Sequence, residues 1–374
     1  MKNILFLFSF LLLASCTKSV EITVENALDF DRNGEIVEIT TAGLPVDLAN
    51  KTYVLKDAQG QGIGYQILSD RQTLIFQANV PANASVTYTL KEGKPALVEK
   101  RTHARLVPER FDDWAFENDF AAYRMYGAAL EKQPNQHPSN GVDIWMKYKD
   151  TPVMDSIYAA RDSKSYHEDN GLGGFDCYDV GYTLGAGGIN PYLDGKIWMG
   201  DGFDHSRIVE SGALRSVFTL EYDTLLVNGN NYAETYTVTV DAGSPLLKAA
   251  VTFKGLEQPM QLAAGIYMHG DSVNTIYDSE NKLLTFTKNA VTNKRVPQKQ
   301  TFISVYLPAA SGAPFVLDKQ FAIASDYKVG DELTYYFGGV WSGWKFTTEQ
   351  EWQSALAQWV QAKQNPLKVN VITK

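Results

Sequence analysis

Alternation of apolar and polar residues with a period of two runs through most of the chain and limits its fold more than any other feature. Successive side chains of a β-strand point to opposite faces, so this alternation predicts antiparallel strands with one buried face. Between residues 21 and 95 the segments are short and are separated by turn-forming residues. They read ITVEN, EIVEITT, TYVLKD, GYQILSD, TLIFQANV and SVTYTLK. This region is interpreted as a small β-sandwich of immunoglobulin-like size.

The segments after residue 98 are longer and predict large antiparallel sheets packed face to face. They include RSVFTLEYDTLLV, YAETYTVTVDA, LLKAAVTF, MQLAAGIYM, KQTFISVYL and ELTYYFGGVW. The segment FENDFAAYRMYG fits either period and is interpreted as strand. One helix is expected near the C-terminus, where Thr348 and Glu351 form a capping box before an apolar stripe of Trp352, Leu356, Trp359 and Val360. The predicted class is all-β, with a small β-sandwich module at residues 16–98 and a domain of large, face-to-face antiparallel sheets at 99–374.

The first sixteen residues, MKNILFLFSFLLLASC, combine a basic residue, an apolar core and a small-residue cleavage pattern. The pattern predicts a signal peptide over residues 1–15. A cysteine directly after Leu-Ala-Ser is similar to a bacterial lipobox, in which Cys16 carries the lipid. We therefore expect a lipid-anchored protein in the periplasm or at the cell surface. The alternative is an ordinary signal peptide with an incidental cysteine.

Charge and cysteine content exclude several classes of function. The formal net charge is −9 and there is no basic run, which argues against nucleic acid as a partner. With Cys16 lipidated, Cys177 has no cysteine left to pair with, and it is interpreted as a packing residue rather than a nucleophile. The 20 tyrosines and 7 tryptophans suit sugar-binding clefts and sandwich cores equally well.

All five histidines lie after residue 98, and the first is part of an arginine-rich stretch. Arginine grips a carboxylate with two parallel hydrogen bonds, so a group of arginines in an acidic protein suggests an anionic substrate. The candidate residues of this stretch are His103, Arg105, Glu117, Asn118 and Arg124. In the alternative, each arginine pairs with a neighbouring aspartate as a structural bridge.

The stretch SYHEDNGLGGFDCYDVGYTLGAGG, residues 165–188, is the densest in chemistry-bearing side chains. His167 is the natural acid or base, since histidine titrates near neutral pH, and Tyr166 lies beside it. Its glycines would let the backbone approach a ligand or would serve a tight sheet corner. A calcium site using Glu168, Asp169, Asp176 and Asp179 is conceivable, but the spacing matches no EF-hand. GLGG lacks the strand-before, helix-after setting of a nucleotide site.

Two further histidines lie in polar settings: His205, near Arg215 in DGFDHSRIVESGALRS, and His269 in YMHGDS at a probable strand end. His137, flanked by turn formers in QPNQHPSNG, is interpreted as a surface-loop residue and is left out of the site.

The stretches FDDWAFENDFAAYRMYG, SYHEDNGLGGFDCYDVGYTLGAGG and RIVESGALRS resemble the lipoprotein family called domain of unknown function 4861. The resemblance covers residues 99–374 and much of the small module. It implies a galactose-mutarotase-like β-supersandwich and a place in the polysaccharide-degradation loci of Bacteroidota-type bacteria. The activity associated with the family is an oligosaccharide dehydratase, which removes water from a terminal uronic acid to leave a 4,5-unsaturated sugar.

Such an elimination needs a base for the C5 proton, an acid for the departing 4-hydroxyl and donors that neutralise the carboxylate. The toolkit requires no cofactor, although calcium is conceivable. We expect His167 and Tyr166 in catalysis with His103 or His205 as counterpart, and Arg105 and Arg124 on the carboxylate of an acidic oligosaccharide. Further substrate contacts are expected from Glu117, Asn118, Arg215 and His269. A mutarotase-like epimerase, a glycosidase with two opposed carboxylates, and a non-catalytic glycan-binding lipoprotein are the competing interpretations.

Overall fold

The computed structural model describes residues 19–270, 273–288 and 296–374. The proposed lipidation residue, Cys16, lies outside the described residues. Strands dominate the described residues, which also contain two α-helices. The prediction of an all-β protein with a C-terminal helix is confirmed. None of the described helices combines the length and the apolar character needed to span a membrane.

The first part of the chain forms a small sandwich. Its strands are β1 Ser19–Asn26, β2 Arg32–Thr40, β3 Tyr53–Lys56, β4 Gly62–Ile63, β5 Tyr65–Ile67, β6 Thr73–Val80 and β7 Ala84–Glu92. β1, β7, β3 and β4 form one sheet, and β2, β6 and β5 form the other. Alternate residues meet between the sheets, and Ile22, Leu55 and Phe76 are completely buried there.

The larger part contains three sheets. Its first strands are β8 His103–Val107, β9 Asp113–Glu117, β10 Ala121–Met125, β11 Asp143–Lys147, β12 Gly174–Asp176, β13 Ala186–Leu193, β14 Lys196–Ile197, β15 His205–Ser211, β16 Arg215–Val227 and β17 Asn230–Asp241. They are followed by β18 Leu247–Lys254, β19 Met260–Tyr267, β20 Val273–Asp278, β21 Leu283–Lys288, β22 Thr301–Tyr306, β23 Phe315–Leu317, β24 Gln320–Tyr327 and β25 Leu333–Trp341.

The sheets have the strand orders β12-β11-β10-β9-β8, β14-β13-β19-β24-β23 and β15-β16-β17-β18-β25-β22-β21-β20. Every named pairing in them is antiparallel. One large core joins the sheets, and Phe116, Tyr123, Phe218 and Phe337 contact one another within it. This is the supersandwich that the sequence predicts.

The sheet from β12 to β8 carries a cluster of charged residues on one of its faces. The stretch 116–127, interpreted as strand, ends β9 and supplies β10, which confirms that interpretation. One face of the sheet packs into the large core. On the other face Asp113, Arg124, Asp143 and Asp176 come together, because Arg124 lies opposite both Ala115 and Asp143, and Asp176 lies opposite Trp145.

A short helix, α1 Met154–Ala160, covers this polar face and was not predicted from the sequence. It has no side-chain cap of its own. Instead the carboxylate of Glu117 accepts hydrogen bonds from the backbone N–H groups of Val153 and Met154 and from Nζ of Lys147, at 2.7 to 2.9 Å. Glu117 and Lys147 are both fully buried. A carboxylate at a helix N-terminus satisfies unpaired N–H groups and complements the helix dipole.

The second helix, α2 Glu349–Gln364, begins at the predicted capping box, in which Thr348 and Glu351 exchange hydrogen bonds. Trp352, Leu356 and Val360 are completely buried against Phe302 and Val340 of the large sheet. The prediction that this helix covers a sheet is confirmed.

The chain then returns to the small sandwich. Its last strand, β26 Lys368–Thr373, pairs antiparallel with β1, with Val20 opposite Thr373. The backbone groups of Ser19 and Lys374 exchange two hydrogen bonds. The small sandwich is therefore discontinuous in sequence. The predicted division at residue 98 instead assigned this last strand to the large domain.

Polar contacts connect the small sandwich to the large sheets. Arg215 bonds Asp241 on its own sheet and Glu38 of the small sandwich, both at 2.6 Å. Glu210 accepts hydrogen bonds from Gln66 and from Ser69. Arg215 thus connects two parts of the fold, and the substrate contact expected of it stays a prediction.

Candidate active site

A single guanidinium organises the polar face of the β12–β8 sheet. Arg124 lies 2.8 Å from the carboxylate of Asp143, 3.4 Å from that of Asp176 and 3.5 Å from that of Asp113. All three carboxyls are almost completely buried. Three acids around one arginine give a net negative charge in the interior if each acid is ionised, which burial disfavours.

The aspartates respond to this environment by holding protons more strongly. Burial raises the pKa of Asp113 to about 6, against the opposing effect of Arg124. Burial and the neighbouring Asp143 raise the pKa of Asp176 well above its usual range. Asp176 therefore holds a proton more strongly than a solvent-exposed aspartate does.

Aromatic rings enclose Arg124. Its guanidinium carbon lies 5.1 Å from the ring centre of Tyr126, 5.2 Å from Trp145 and 5.4 Å from Tyr166. Its N–H groups are directed at the three aspartates and at the hydroxyl of Tyr126, and the residue is 4% exposed. Because the N–H groups of Arg124 are already directed at these partners, few donors remain for a ligand. Arg124 therefore organises the site, and it does not fit the expected role of binding the substrate carboxylate.

His167 stands at the edge of the cluster. Its Nδ1 lies 3.3 Å from the carboxylate of Asp176, and its side chain is 54% exposed. Burial and the charge of Arg124 lower its pKa. Tyr166 contacts the His167 ring at 4.4 Å and stacks on Trp145 at 5.1 Å. The predicted pair of Tyr166 and His167 is thus joined to the predicted Arg124.

Two adjoining cavities open beside this histidine. One has a volume of ≈ 330 Å³ and the other ≈ 380 Å³. They share five lining residues: Arg124, Tyr126, His167, Asp179 and Val180. Asp176 and Tyr178 line the smaller cavity, and Arg110, His137 and Tyr166 line the larger one. Together the two cavities form what we call the His167 cleft, a concave site of acids, aromatic rings and imidazoles.

Two residues that line the larger cavity could bind a ligand or take part in a reaction, although the sequence analysis did not select them for the site. Nη1 of Arg110 is buried without a hydrogen-bond partner among the described residues and lies 4.0 Å from Asp113. His137, which the sequence placed on a surface loop, is exposed and lines the same cavity as His167. No local pattern signals His137, because its position in the cleft depends on the packing of distant loops.

The structure does not bring His103, Arg105 or His205 to the cleft. Nε2 of His103 and Nε of Arg105 both contact the carboxylate of Asp155 on α1, at 3.0 and 2.6 Å. His205 is exposed and faces Asp223 at 3.2 Å along the β15–β16 edge. None of the three lines the two cavities, so the roles expected of His103 and His205 in catalysis and of Arg105 in substrate binding stay predictions outside this cleft.

The remaining expected substrate contacts have other surroundings. Glu117 is buried as the anchor of α1, and Asn118 donates hydrogen bonds to the backbone oxygens of Asp241 and Ser244. Both side chains make structural contacts within the fold, and neither lines the cleft. His269 packs edge-on against Tyr178 at 4.6 Å, behind the cleft, and burial lowers its pKa to about 4. Its Nε2 is buried without a hydrogen-bond partner among the described residues.

Glycines of the 165–188 stretch serve close packing. Gly173 adopts a φ of 105°, and a Cβ at that position would lie 2.6 Å from the side chain of Lys149. Gly185, with a φ of 65°, would place a Cβ 2.2 Å from the carbonyl oxygen of Val142. A side chain fits neither position, which favours the tight-corner interpretation of these glycines.

Across the described ranges, no group of three or more His, Cys, Asp or Glu side chains is arranged to hold a metal ion. Within the aspartate cluster the guanidinium of Arg124 supplies the positive charge. The conceivable calcium site stays a prediction.

The fold and the cleft define a β-supersandwich protein with a buried aspartate–arginine cluster beside an exposed histidine. The chain belongs to the family described as Domain of unknown function (DUF4861), whose model matches residues 24–369. It is 23% identical over 413 residues to Uncharacterized protein P7 from Formosa agariphila, a match that covers 99% of this chain and 100% of that protein.

Two solved structures from Enterococcus faecalis are similar in fold. One is an alpha-mannosidase (TM-score 0.53, 10% identity), and the other is a protein in the glycosyl hydrolase family 38 (TM-score 0.51, 9% identity). Each match covers 95% of this chain but only 46% and 47% of the other chain, so this chain spans about half their length. At this identity the likeness concerns the fold alone.

Proposed function

We propose that this protein is a carbohydrate-active enzyme that removes water across C4–C5 of a terminal uronic acid in an oligosaccharide. The observation that carries the proposal is the His167–Asp176 pair at the edge of the cleft, with Arg110 and His137 lining the same cleft. Family membership and a fold shared with carbohydrate-active proteins support the sugar substrate.

The protonation of the pair assigns His167 the role of acid. The proposed mechanism starts from protonated Asp176, a form that its raised pKa favours, and its carboxyl lies 3.3 Å from Nδ1 of His167, whose own pKa is lowered. In this state Nδ1 accepts from Asp176 and Nε2 carries the ring hydrogen, ready for donation to the departing 4-hydroxyl. The proton of Asp176 then moves to Nδ1, so His167 stays neutral and the negative charge rests on the Asp176 carboxylate, 3.4 Å from the guanidinium of Arg124.

The counterpart is the imidazole of His137. It takes the C5 proton, the electrons of the C5–H bond form the C4=C5 double bond, and the C4–O bond breaks to release water. Nη1 of Arg110, which has no hydrogen-bond partner among the described residues and lies 4.0 Å from Asp113, would receive the substrate carboxylate, on which negative charge develops as C5 loses its proton. Arg124 and the three aspartates around it keep the side chains that line the cleft in position.

The first experiment uses oligosaccharides that end in a saturated uronate, followed by mass spectrometry and ultraviolet absorbance. A product lighter by one water with a new conjugated chromophore supports the proposal. His167→Ala should abolish the reaction, while His205→Ala, which removes an exposed histidine outside the cleft, should leave it unchanged. No mass change on any uronate-ended substrate would overturn the dehydratase proposal.

A substrate with fluoride at C4 separates the two histidine roles, because fluoride leaves without a proton. The 4-fluoro substrate should restore turnover to His167→Ala but not to His137→Ala. The reverse pattern would show that the roles are exchanged, and rescue of both variants would remove His137 as base.

Glycoside hydrolysis is the second candidate, favoured by the two carboxyls, Asp176 and Asp179, that line the smaller cavity. It predicts shorter products whose summed mass exceeds the substrate by one water. The same mass spectra therefore decide between the two reactions.

The lipid anchor on Cys16 and a periplasmic or cell-surface location are part of the proposal. Labelling of wild type and Cys16→Ser with a radioactive fatty acid in a bacterial host tests them, and label in the variant would remove the anchor.

A further inference from the structure

The His167 cleft continues into a third cavity that the catalytic proposal does not use. This cavity has a volume of ≈ 480 Å³ and shares Gln136, His137 and Pro138 with the larger part of the cleft. Its other lining residues are Glu131, Tyr182 and Asp201. A chain of sugars whose terminal unit reacts in the cleft would therefore have a path along its neighbouring units.

Tyr182 gives this cavity a fixed aromatic surface. Its side chain is 48% exposed, a high value for so large a ring. Its hydroxyl nevertheless donates hydrogen bonds to Oδ1 of Asp201 at 3.1 Å and to the carbonyl oxygen of Met199 at 3.3 Å. An exposed ring held at its polar end is preorganised for contact, because little rotational freedom is lost when a ligand binds.

The charged groups of the cavity define which ligand it accepts. Glu131 and Asp201 both line it, and no lysine or arginine of the described segments does. Glu131 is held in place by the N–H of Gly202 at 2.8 Å. Carboxylates accept hydrogen bonds from sugar hydroxyls but repel sulfate and carboxylate groups.

We infer that the cavity of Tyr182, Asp201 and Glu131 is a second subsite, which binds an uncharged sugar next to the reacting uronate. The CH face of the pyranose lies on the Tyr182 ring, and its hydroxyls donate to the two carboxylates. The inference rests on the proposed function and adds the substrate class: an acidic terminal sugar followed by a neutral one.

The test compares affinities for a uronate monosaccharide and for disaccharides of the same uronate, measured by calorimetry with His167→Ala so that no turnover occurs. A neutral second sugar should strengthen binding by about tenfold, which corresponds to about 1.4 kcal/mol. Tyr182→Ala should lose that gain and keep the affinity for the monosaccharide. Tyr182→Phe retains the ring and should keep most of the gain, while Leu226→Ala, which removes an exposed apolar side chain elsewhere, should keep all of it.

A sulfated second sugar supplies the charge test. It should bind more weakly than the neutral disaccharide, and Asp201→Asn should reduce the difference. In the His167→Ala background, equal gains with and without Tyr182→Ala, or tighter binding of the sulfated sugar, would overturn the subsite. Because binding is measured without turnover, that result is distinct from a failure of dehydration, which the product masses report.

Discussion

The buried pair of Glu117 and Lys147 gives the sharpest test of how the site is supported. Glu117→Gln removes the negative charge and leaves the Lys147 ammonium in a fully buried position. Loss of one partner of a buried ion pair costs about 3–5 kcal/mol. The N–H groups of Val153 and Met154 also lose their charged acceptor, which adds about 1 kcal/mol at a helix N-terminus. We expect the free energy of unfolding to fall by about 4–6 kcal/mol.

Urea unfolding followed by tryptophan fluorescence measures this change. With a slope of about 1–3 kcal/mol per M, the midpoint should move down by 1 M or more. The matched control is Glu109→Gln, which removes the same charge from the exposed Arg105–Glu109 pair and should cost at most about 1 kcal/mol.

Measuring Lys147→Met alone and combined with Glu117→Gln completes a double-mutant cycle. Because Lys147→Met and Glu117→Gln together leave no uncompensated charge, the double variant should be more stable than the summed losses predict, by about 2 kcal/mol. Additive losses, or a Glu117→Gln change no larger than that of the Glu109 control, would refute the reasoning that this ion pair anchors α1.

Three further predictions concern buried titratable groups. Burial raises the pKa of Glu234 to about 8, so wild type should lose stability between pH 4.5 and 8. Glu234→Gln should be progressively stabilised relative to wild type over that window, by up to about 1.4 kcal/mol per pH unit; a constant difference in urea midpoints would contradict this. Burial raises the pKa of Cys177, so its thiol should resist iodoacetamide in the native protein and react in urea, as mass spectrometry would show. Arg124→Met should lower the free energy of unfolding by about 3–5 kcal/mol at pH 8. The loss should be smaller at pH 5, because protonated aspartates around the missing guanidinium no longer repel one another. Equal losses at both pH values would contradict the raised pKa values of Asp113 and Asp176.

The fold could be predicted from the sequence because its signals are local. Strand alternation and the Thr348–Glu351 capping box act over a few residues, and the structure follows both. Helix α1 was missed for a physical reason: its seven residues are too few to form a stable helix alone, and its cap comes from Glu117, which lies 36 residues earlier than Val153.

The site was only partly predictable. Tyr166, His167 and Arg124 were named, and they do meet, but their connection through Asp176 depends on strand register. Alternation along β9, β10 and β11 would have placed Asp113, Arg124 and Asp143 on one face if register had been known. His103 and Arg105 share a face as expected, but that face meets Asp155 of the unpredicted helix instead of a ligand.

The pairing of β26 with β1 has a topological consequence. Because Ser19 and Lys374 are hydrogen-bonded neighbours, the described backbone comes close to forming a closed ring. A short peptide linker could join these residues, and new ends could be opened at the exposed turn of residues 58–60. Such a circular permutant should fold with its cleft intact, so the order of segments in the gene is one of several orders compatible with this architecture.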